Sequence, residues 1–304
     1  MTSLAQKITP FLWFDNQAEE AVNFYTSIFN NSKVGNVSRY DEASAQASGQ
    51  SAGSVLTVEF EIAGYKFVGL NGGPVFKFTP AISFFVNCKT ADEVQNLWDK
   101  LSVGGKALMP LDSYFFSEKY GWIEDKFGVS WQLILSQGEA EQKIIPSMMF
   151  VGDGCGRAKE AIDFYTSLFG NSTVISTFPY RAGQEPDKEG TLAYADFKLE
   201  GQLFAAMDSA HEHRFTFNEA VSFMVNCNTQ EEVDYFWEKL SAVPEAEQCG
   251  WLKDKFGVSW QIVPVALFKL MSDPDPVKSQ RVTQAMLQMK KIDIKALEKA
   301  YEQG

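Results

Sequence analysis

Asp125-Lys-Phe-Gly-Val-Ser-Trp-Gln132 is an octapeptide that decides the fold, because it returns unchanged as residues 254–261. Each copy follows a Gly-Trp pair and leads into an apolar segment. Gly128 and Gly257 suit the positive φ that a tight turn requires, and the valine and tryptophan that follow have high β propensity. The repeat therefore predicts a turn that leads into a buried strand, in a chain that contains one unit twice.

Two further motifs recur at matching places in both halves of the chain. Glu20-Ala-Val-Asn-Phe-Tyr25 matches Glu160-Ala-Ile-Asp-Phe-Tyr165, and Ser83-Phe-Phe-Val-Asn-Cys88 matches Ser222-Phe-Met-Val-Asn-Cys227. The first motif has helical periodicity, and the second has the apolar run of a buried strand. With the segments between them, they predict the order strand, helix, strand, strand, strand twice in each unit, which makes four βαβββ modules.

The repeats also predict where the parts of the chain begin and end. These parts are a first unit over residues 1–138, a second over residues 143–265 and a helical extension over residues 266–304. In the first unit, Asp15 or Asn16 is predicted to cap a helix that begins at Ala18, because both side chains accept hydrogen bonds from helix N–H groups. The Ser-, Ala- and Gln-rich segment 41–53 is predicted to be a mobile loop.

The composition excludes several classes of function. The 304-residue chain carries a net charge of −12, and such an acidic surface repels the phosphate backbone of nucleic acids. Its four cysteines show no CxxC spacing, which is typical of reduced thiols in the cytoplasm. No apolar run approaches the roughly 20 residues that span a bilayer, and the first residues lack the apolar core of a signal peptide. These features predict a cytoplasmic protein without nucleic-acid or membrane partners.

The two units differ mainly in one segment. Residues 241–249 are shorter than the matching residues 102–120, so that only the first unit contains Met109-Pro-Leu-Asp-Ser-Tyr-Phe-Phe116. Polar and aromatic side chains of this region are expected to gate a cavity of the first unit. They are Asp112, Tyr114 and Glu118.

A glycine-rich segment, Val151-Gly-Asp-Gly-Cys-Gly156, lies between a predicted strand and a predicted helix, as nucleotide-binding loops do. The matching residues 14–18 contain no glycine, and no second parallel βαβ unit is available to complete a nucleotide-binding fold. The segment is therefore predicted to be an ordinary connection, which argues against bound S-adenosylmethionine.

Four βαβββ modules with Glu-Ala-x-x-Phe-Tyr helices and repeated Asp-Lys-Phe-Gly-Val-Ser-Trp-Gln turns resemble the vicinal oxygen chelate superfamily, which includes glyoxalases, bleomycin-resistance proteins and extradiol dioxygenases. The chain is more similar still to the PhnB-like branch, often labelled demethylubiquinone methyltransferase. The resemblance implies an α+β fold in which tandem glyoxalase-like units form two open barrels, followed by a C-terminal helical tail. It also implies an internal pseudo-dimer, so that the chain is expected to be a monomer or a weak homodimer.

In the metal-dependent relatives, four strand positions of a barrel direct His, Gln or Glu side chains at one divalent metal. The resemblance maps these positions in the first unit onto Ile8, Asn71, Ala81 and Gln132. In the second unit it maps them onto Ile144 or Ile145, Asp208, Ala220 and Gln261. The first set offers neither an anion nor an imidazole, so no metal is expected there. The second set leaves an alternative open, which is one divalent metal held by Asp208, His211, His213 and Gln261.

Without a metal, the barrels are expected to bind a ligand through aromatic rings and amide groups. The expected ligand-binding residues are Trp13, Asn71, Phe116, Trp122, Gln132, Trp251 and Gln261. Asp208 is the candidate catalytic residue, because it is the only charged residue at a mapped position and a carboxylate in a partly apolar barrel has a raised pKa.

These residues lead to three hypotheses about function. The favoured one is a PhnB-like protein that binds a small aromatic or amphipathic molecule without a cofactor. The alternative is a metal-dependent enzyme of the glyoxalase or dioxygenase type that uses the second unit. The third, a demethylubiquinone methyltransferase, rests on the family label alone.

Overall fold

The computed structural model describes residues 6–138 and 140–303, and its modules follow the predicted order, except that the fourth has two strands after its helix where three were predicted. The first module consists of β1 (Ile8–Phe14), α1 (Ala18–Ile28), β2 (Lys33–Arg39), α2 (Glu42–Ser48), β3 (Val55–Ile62) and β4 (Tyr65–Asn71). The second consists of β5 (Ile82–Cys88), α3 (Ala91–Leu101), β6 (Lys106–Tyr114), β7 (Ser117–Glu124) and β8 (Ser130–Leu135).

The second unit and the tail complete the chain. The third module consists of β9 (Ile144–Val151), α4 (Ala158–Leu168), β10 (Thr173–Pro179), β11 (Leu192–Leu199) and β12 (Gln202–Ser209). The fourth consists of β13 (Val221–Cys227), α5 (Gln230–Leu240), β14 (Trp251–Lys253) and β15 (Ser259–Pro264). The shortened segment, residues 241–250, contains a 3-10 turn at Pro244–Ala246 and no strand that matches β6. The tail helices are α6 (Val265–Met271), α7 (Pro276–Leu287) and α8 (Ile294–Glu302).

The strands form two mixed sheets. Sheet A has seven strands in the order β14-β15-β13-β1-β4-β3-β2, and sheet B has eight in the order β10-β11-β12-β9-β5-β8-β7-β6. Two modules meet in each sheet, where β1 runs antiparallel to β13 and β5 runs antiparallel to β9. The predicted α+β fold of tandem glyoxalase-like units with a helical tail is confirmed, and each sheet combines one module from each unit.

A buried carboxylate in the octapeptide turn joins the repeated motifs to one another. Asp125 Oδ2 accepts hydrogen bonds from the Tyr25 hydroxyl at 2.7 Å and from Trp131 Nε1 at 2.9 Å. Its Oδ1 accepts from the backbone N–H groups of Phe127 and Val129. Because Tyr25 lies on α1, the carboxylate fixes a helix of the first module to the turn that leads into β8 of sheet B.

The second unit repeats this arrangement around Asp254. The hydroxyl of Tyr165, on α4, donates to Asp254 Oδ2 at 2.6 Å, and Trp260 Nε1 donates at 2.8 Å. Burial raises the pKa of Asp254, while the donated hydrogen bonds oppose that shift. The two motifs that recur in the sequence are therefore the two sides of one buried hydrogen-bonded cluster.

The predicted cap of the first helix is wrong. α1 begins at Ala18 as expected, but no side chain of the residue before it caps the helix. Asn71, at the end of β4, supplies the acceptor instead of Asp15 or Asn16, because its Oδ1 accepts from the Ala18 N–H at 2.9 Å. The capping group is distant in sequence, so the local pattern alone does not reveal it.

The segment 41–53, predicted as a mobile loop, contains a helix. Asp41 and Ser44 form a capping box, in which each side chain accepts a hydrogen bond from the other residue's backbone N–H. Gly49 ends α2 with a left-handed φ of 72°. Ser, Ala and Gln between such caps form a short helix.

The predicted state of the cysteines agrees with the structure. All four are free, and Cys88 and Cys227 are buried in β5 and β13, where burial raises the pKa of each thiol to about 12. Among the described residues, no helix combines the length and the apolar character that crossing a membrane requires.

Removing the hydroxyl of Tyr25 is expected to destabilise the fold, because the buried Asp125 carboxylate then loses a donor. Tyr25→Phe and, in the second unit, Tyr165→Phe are each expected to lower the free energy of unfolding by about 2 kcal/mol. Urea unfolding measures the loss. Tyr235→Phe is the control, because it removes an exposed hydrogen bond from the Tyr235 hydroxyl to the carbonyl of Leu168, with an expected change below about 0.5 kcal/mol. Equal losses in all three variants contradict the assignment.

Candidate ligand-binding face

Side chains alternate between two faces along each strand, so each sheet has one face toward the main core and an outer face away from it. On the outer face of sheet A, a cluster joins strand residues to the tail helices. Its strand members are Phe11, Val68, Met224 and Val263, and its tail members include Leu267, Val282, Ile292 and Leu297. The tail therefore covers the outer face of sheet A.

The outer face of sheet B carries a cluster that contains only strand residues among the described part of the chain. Its members are Phe85, Tyr120, Ile145, Leu203 and Ala205, with the half-buried Met109, Tyr114, Trp122, Ile134, Tyr194 and Met207 packed against them. We call this surface the open face. An apolar surface rich in aromatic rings, with a few polar groups among them, is typical of small-molecule sites.

A row of small or polar side chains crosses the centre of the open face. In the strand register, Asp196 of β11 lies opposite Ala205 of β12, which lies beside Ser147 of β9. Ser147 in turn lies opposite Ser83 of β5. We call Ala205, Ser147 and Ser83 the floor of the open face.

Sheet A has large side chains at two of the three matching positions. Val68 and Phe11 are paired in sheet A as Ala205 and Ser147 are paired in sheet B. Both Val68 and Phe11 pack against the tail. The same place in the two sheets is therefore filled by side chains in sheet A and lined by small ones in sheet B.

Two aromatic rings meet above the floor. Phe85 of β5 and Tyr194 of β11 are separated by β9 and β12, yet their ring centroids lie 5.8 Å apart at an interplanar angle of 89°. Neighbouring strands lie about 4.8 Å apart, so the rings touch only because both lean over the strands between them. The small side chains of Ala205 and Ser147 leave room for this contact.

The hydroxyl of Ser147 lies beneath these rings without a hydrogen-bond partner among the described residues. The residue is only 1% exposed. An unpaired buried hydroxyl costs about 1–3 kcal/mol, and alanine fills the same space without that cost. The Ser147 hydroxyl is therefore expected to cost stability.

A chain of hydrogen bonds holds the floor at Ser83. Gln132 Nε2 donates to Ser83 Oγ at 2.8 Å, and the Tyr120 hydroxyl donates to Gln132 Oε1 at 2.5 Å. Burial raises the pKa of Tyr120, so its hydroxyl keeps its proton. These groups satisfy one another and fix this side of the floor in place.

Asp196 ends the row at its other side. The hydroxyl of Ser176, on β10, donates to Asp196 Oδ1, and the side chain of Asp196 is half-buried. Its Oδ2 has no hydrogen-bond partner in the part of the chain that the structure describes. The row therefore presents one unpaired carboxylate oxygen and one unpaired hydroxyl, on either side of Ala205.

The structure divides the predicted ligand-binding residues between the two sheets. On the open face or at its border are Trp122, Gln132 and Phe116, whose ring stacks on Tyr114. On the outer face of sheet A are Trp13, Trp251 and Gln261. Because the two groups lie on different sheets, they do not line one site. The sequence predicted that the mapped positions of one unit lie together. In the structure, the positions that lie together are those of one sheet.

Asn71 and Asp208 lie on the core side of their strands. Their neighbours Leu70 and Met207 belong to the outer-face clusters, so alternation turns Asn71 and Asp208 toward the helices. The expectation that Asn71 contacts a ligand does not match this orientation. Its side chain instead joins α1 to β3 and is buried.

Asp208 is a helix cap in the structure. Its Oδ1 accepts from the N–H groups of Gly156 and Ala158 at the start of α4, and its Oδ2 accepts from the N–H of Leu192. Burial raises the pKa of Asp208, while the backbone donors oppose the shift. This position does not match the barrel-facing carboxylate that its predicted catalytic role requires.

The residues of the alternative metal site are not brought together. Asp208 lies in sheet B and Gln261 in sheet A. His211 Nε2 lies 3.5 Å from Asp187 Oδ2, and His213 is hydrogen-bonded to a serine at the end of β12. Within residues 6–138 and 140–303, no group of three or more His, Cys, Asp or Glu is arranged to hold a metal ion.

The glycine-rich segment before α4 forms a short 3-10 turn over Gly152–Gly154. The N–H groups of Gly156 and Ala158, at the start of α4, are already bonded to Asp208. In nucleotide-binding loops such N–H groups receive the anionic part of the ligand. Here the carboxylate of Asp208 accepts from these N–H groups in place of a ligand's anionic group.

The predicted gating residues lie on or near the first-unit insertion, which forms most of β6. Tyr114 belongs to the cluster of the open face, and its hydroxyl donates to the carbonyl of Pro110. Asp112 and Glu118 are exposed at the same edge of sheet B. A gating role for them stays a prediction.

A separate cleft of about 440 Å³ lies beside the turn that follows β7. Its lining includes Trp13, Phe76, Phe78 and Lys106. Of the predicted ligand-binding residues, it contains Trp13 alone. The cleft is distinct from the open face, because no member of the open-face cluster lines it.

Sequence reasoning missed the residues that distinguish the open face. Ser147, Ala205 and Asp196 carry no motif, and each is ordinary in a strand. The available signal was the comparison of the two units, in which Phe11 of β1 matches Ser147 of β9. A large apolar residue replaced by a serine in a buried strand marks a place where the copies diverge.

Comparisons with known proteins agree with this fold. The sequence profile of the family described as 3-demethylubiquinone-9 3-methyltransferase matches residues 6–134 and 142–263. The chain belongs to this family. A solved PhnB protein from Bacillus cereus is 46% identical over 43% of this chain and 100% of its own, with a TM-score of 0.40. A mutant of glyoxalase I from Zea mays is 12% identical over 84% of this chain and 93% of its own, with a TM-score of 0.52. No curated protein gives a significant match.

Membership in the 3-demethylubiquinone-9 3-methyltransferase family confirms the resemblance to the PhnB-like branch, which carries that label. The family profile matches once in each unit, which confirms the tandem arrangement. The likeness to glyoxalase I shows that the fold is shared.

Replacing Ser147 by alanine is expected to stabilise the protein, because the change removes an unpaired buried hydroxyl. Ser147→Ala is expected to raise the free energy of unfolding by about 1 kcal/mol. Urea unfolding of the ligand-free protein measures the gain. Ser83→Ala is the matched control on the same floor and is expected to destabilise, because Ser83 Oγ accepts from Gln132. A loss of stability in Ser147→Ala contradicts the assignment of an unpaired hydroxyl.

Replacing Asp208 by asparagine is expected to destabilise the second unit. Leu192 donates its N–H to Asp208 Oδ2, and the amide NH₂ of asparagine places a donor against that donor. Asp208→Asn is expected to cost about 1–3 kcal/mol in urea unfolding. Asn71→Asp, the reverse change in the first unit, places a carboxylate against the carbonyl of Val55 and is expected to destabilise as well. Unchanged stability in Asp208→Asn contradicts the role of a helix cap.

Proposed function

We propose that this protein binds a small aromatic or amphipathic molecule on the open face of sheet B, without a metal and in the cytoplasm. The observation that carries the proposal is the difference between the sheets at the floor. Ala205 and Ser147 stand where sheet A has Val68 and Phe11. The two copies of the unit thus differ in side-chain size at the centre of the outer face, under the rings of Phe85 and Tyr194.

The surroundings of the floor support an aromatic ligand. Phe85 and Tyr194 meet above it, and the half-buried Trp122 lies further along the same face. Aromatic rings of this kind stack or pack edge-to-face with a planar ligand, at about 0.5–1.5 kcal/mol for each pair beyond the burial of area. In sheet A the tail helices occupy the corresponding surface.

The chemistry of the floor supports a ligand bound without a metal. The polar groups of the row are two serine hydroxyls and one carboxylate, with an amide beside Ser83. Divalent metals of the glyoxalase and dioxygenase type are held by imidazole and several carboxylates together. A single carboxylate with neutral hydroxyls is a weak ligand set for them.

The family's description names methyl transfer to a quinone precursor, and the proposal takes from it only that an aromatic molecule suits this fold. A methyl donor such as S-adenosylmethionine carries a carboxylate and an ammonium group, which need paired polar partners. The N–H groups of Gly156 and Ala158, which follow the glycine-rich segment, are bonded to Asp208. The proposal therefore assigns binding and no methyl transfer.

The proposal is tested by placing the larger side chains of sheet A at the matching floor positions of sheet B. The double variant Ser147→Phe, Ala205→Val is expected to lose at least about tenfold in affinity for an aromatic probe, because its larger side chains fill the space above the floor. Naphthol is the probe, and titration calorimetry measures its binding. Ser222→Ala, in sheet A, is the control and is expected to bind naphthol as the wild type does.

Two results contradict the proposal. One is the absence of naphthol binding to the wild-type protein. The other is a double variant that stays folded in a thermal melt and binds naphthol with unchanged affinity. Loss of binding in Ser222→Ala, with the double variant unaffected, places the ligand on sheet A.

A further inference from the structure

The internal repeat provides a reference for the separate cleft of about 440 Å³, which lies beside the octapeptide turn of the first unit. Phe127 of this turn lines the cleft and is half-buried. The matching residue of the second unit, Phe256, is only 8% exposed. The two units therefore differ in what covers the same ring.

An arginine covers the ring in the second unit. The Cζ atom of Arg157 lies 4.6 Å from the ring centroid of Phe256. Its Nη1 donates to the carbonyl of Lys255 at 3.2 Å, and its Nε donates to the carboxylate of Glu160 at 3.1 Å. One guanidinium group thus makes a cation–π contact, a hydrogen bond to the backbone and an ion pair.

The first unit has the same three partners but no arginine. Phe127, Lys126 and Glu20 occupy the matching places in the octapeptide and in the helix motif. Gln17 stands where the second unit has Arg157, and the two residues precede their helices with nearly the same φ, −104° and −101°. In the part of the chain that the structure describes, the side chain of Gln17 makes no hydrogen bond, and the carbonyl of Lys126 accepts none.

A lysine of the turn already lies at this ring, and the second unit shows that it leaves room for a guanidinium group. Lys126 Nζ lies 4.7 Å from the ring centroid of Phe127. Lys255 Nζ lies 4.9 Å from the ring centroid of Phe256, where Arg157 binds as well. Lys126 therefore does not occupy the place of the missing arginine.

The carboxylate differs between the units in the same sense. Glu160 pairs with Lys255 at 2.9 Å and with Arg157 at 3.1 Å. Glu20 pairs with Lys126 at 2.8 Å and with no second cation among the described residues. The other carboxylate oxygen of Glu20 therefore remains for a cationic ligand.

The remaining charges that line the cleft offset one another. Lys106 lies opposite Glu124 in the pairing of β6 with β7, and the lining also contains Lys77 and Asp15. Asp125 belongs to the lining as well, but its oxygens are bonded within the buried cluster. Because these charges offset one another, the net charge of −12 makes the surroundings attractive to a cation.

The cleft has room for more than a guanidinium group. Its volume lies within the range of about 300–1,000 Å³ that small-molecule sites have. Trp13 and Phe76 also line it, and their ring centroids lie 5.0 Å apart at an interplanar angle of 82°. An apolar or aromatic part of a ligand can pack against these rings.

We propose that the cleft of the first unit binds a small molecule with a guanidinium group, which makes the three contacts that Arg157 makes in the second unit. The group lies against Phe127 and donates to the carbonyl of Lys126 and the carboxylate of Glu20. An apolar or aromatic part of the same molecule packs against Trp13. The site is separate from the open face, and the inference does not depend on what the open face binds.

Calorimetric titration with benzoylarginine amide tests the inference on the full-length protein. Benzoylcitrulline amide is the matched probe, because its neutral ureido group has nearly the shape of the guanidinium group. The wild type is expected to bind the arginine compound at least about tenfold more tightly, since the cation–π contact and the ion pair both require the charge.

Substitutions at two positions locate the site. Gln17→Arg is expected to lower the affinity for benzoylarginine amide at least about tenfold, because its side chain takes the contacts that Arg157 takes in the second unit. Gln17→Met, a neutral change of similar length, is expected to bind as the wild type does. Glu20→Gln is expected to lower the affinity about threefold or more, whereas Glu19→Gln removes the same charge from the same helix turn and is expected to change nothing.

Three results overturn the inference. The first is equal affinity of the wild type for the two compounds, or no binding of either. The second is unchanged affinity in Gln17→Arg. The third is an equal loss in Glu19→Gln and Glu20→Gln, which shows attraction by the net charge alone. None of these results alters the titration of the open face with naphthol, so the proposed function stands or fails separately.

Discussion

The buried carboxylate in the octapeptide turn is the interaction on which the rest of the structure depends. Asp125 accepts hydrogen bonds from a helix tyrosine, a strand tryptophan and two backbone N–H groups, and Asp254 repeats the pattern. A buried charge is tolerated only when it is fully hydrogen-bonded, so the turn, the helix and the strand must meet in one geometry. Because the helix tyrosine and the turn belong to different modules, this carboxylate fixes each helix against the neighbouring sheet. The outer faces of the sheets are then free to differ.

The two outer faces have diverged in opposite directions. In the fourth module, the counterpart of β6 is missing, and the N–H groups of Cys249 and Gly250 donate instead to the carbonyls of Met289 and Lys290 in the tail. The tail thus takes part of the place of the lost strand and covers Phe11 and Val68 in sheet A. Sheet B keeps β6 and carries a floor of small side chains under two aromatic rings. The outer face of sheet A therefore packs against the tail helices, whereas the cluster on the outer face of sheet B consists of strand residues in the described part of the chain.

The modules and helices follow from the sequence because they are local and repeated. The pairing of β1 with β13 and of β5 with β9 does not, because strand pairing between distant modules leaves no local pattern. Asp208 illustrates the consequence. Its position at a strand end was predictable from the sequence. A shift of one residue in a strand turns a side chain to the opposite face of the sheet, so the sequence did not decide which face Asp208 occupies. In the structure its side chain faces α4. Ser147 illustrates the reverse. The sequence shows that a serine stands where the first unit has Phe11, but only the structure shows that Phe85 and Tyr194 cover this serine and that its hydroxyl has no hydrogen-bond partner among the described residues.

The central claim, that sheet B binds the ligand and sheet A does not, is tested most directly by NMR of the methionine methyl groups during titration with naphthol. Met109 and Met207 lie on the open face, whereas Met224 and Met286 lie under or within the tail on sheet A. Ring currents of a bound aromatic molecule shift the methyl groups that it contacts. The account predicts shifts for Met207 and Met109, with Met224 and Met286 unchanged. Shifts confined to Met224 and Met286 contradict it.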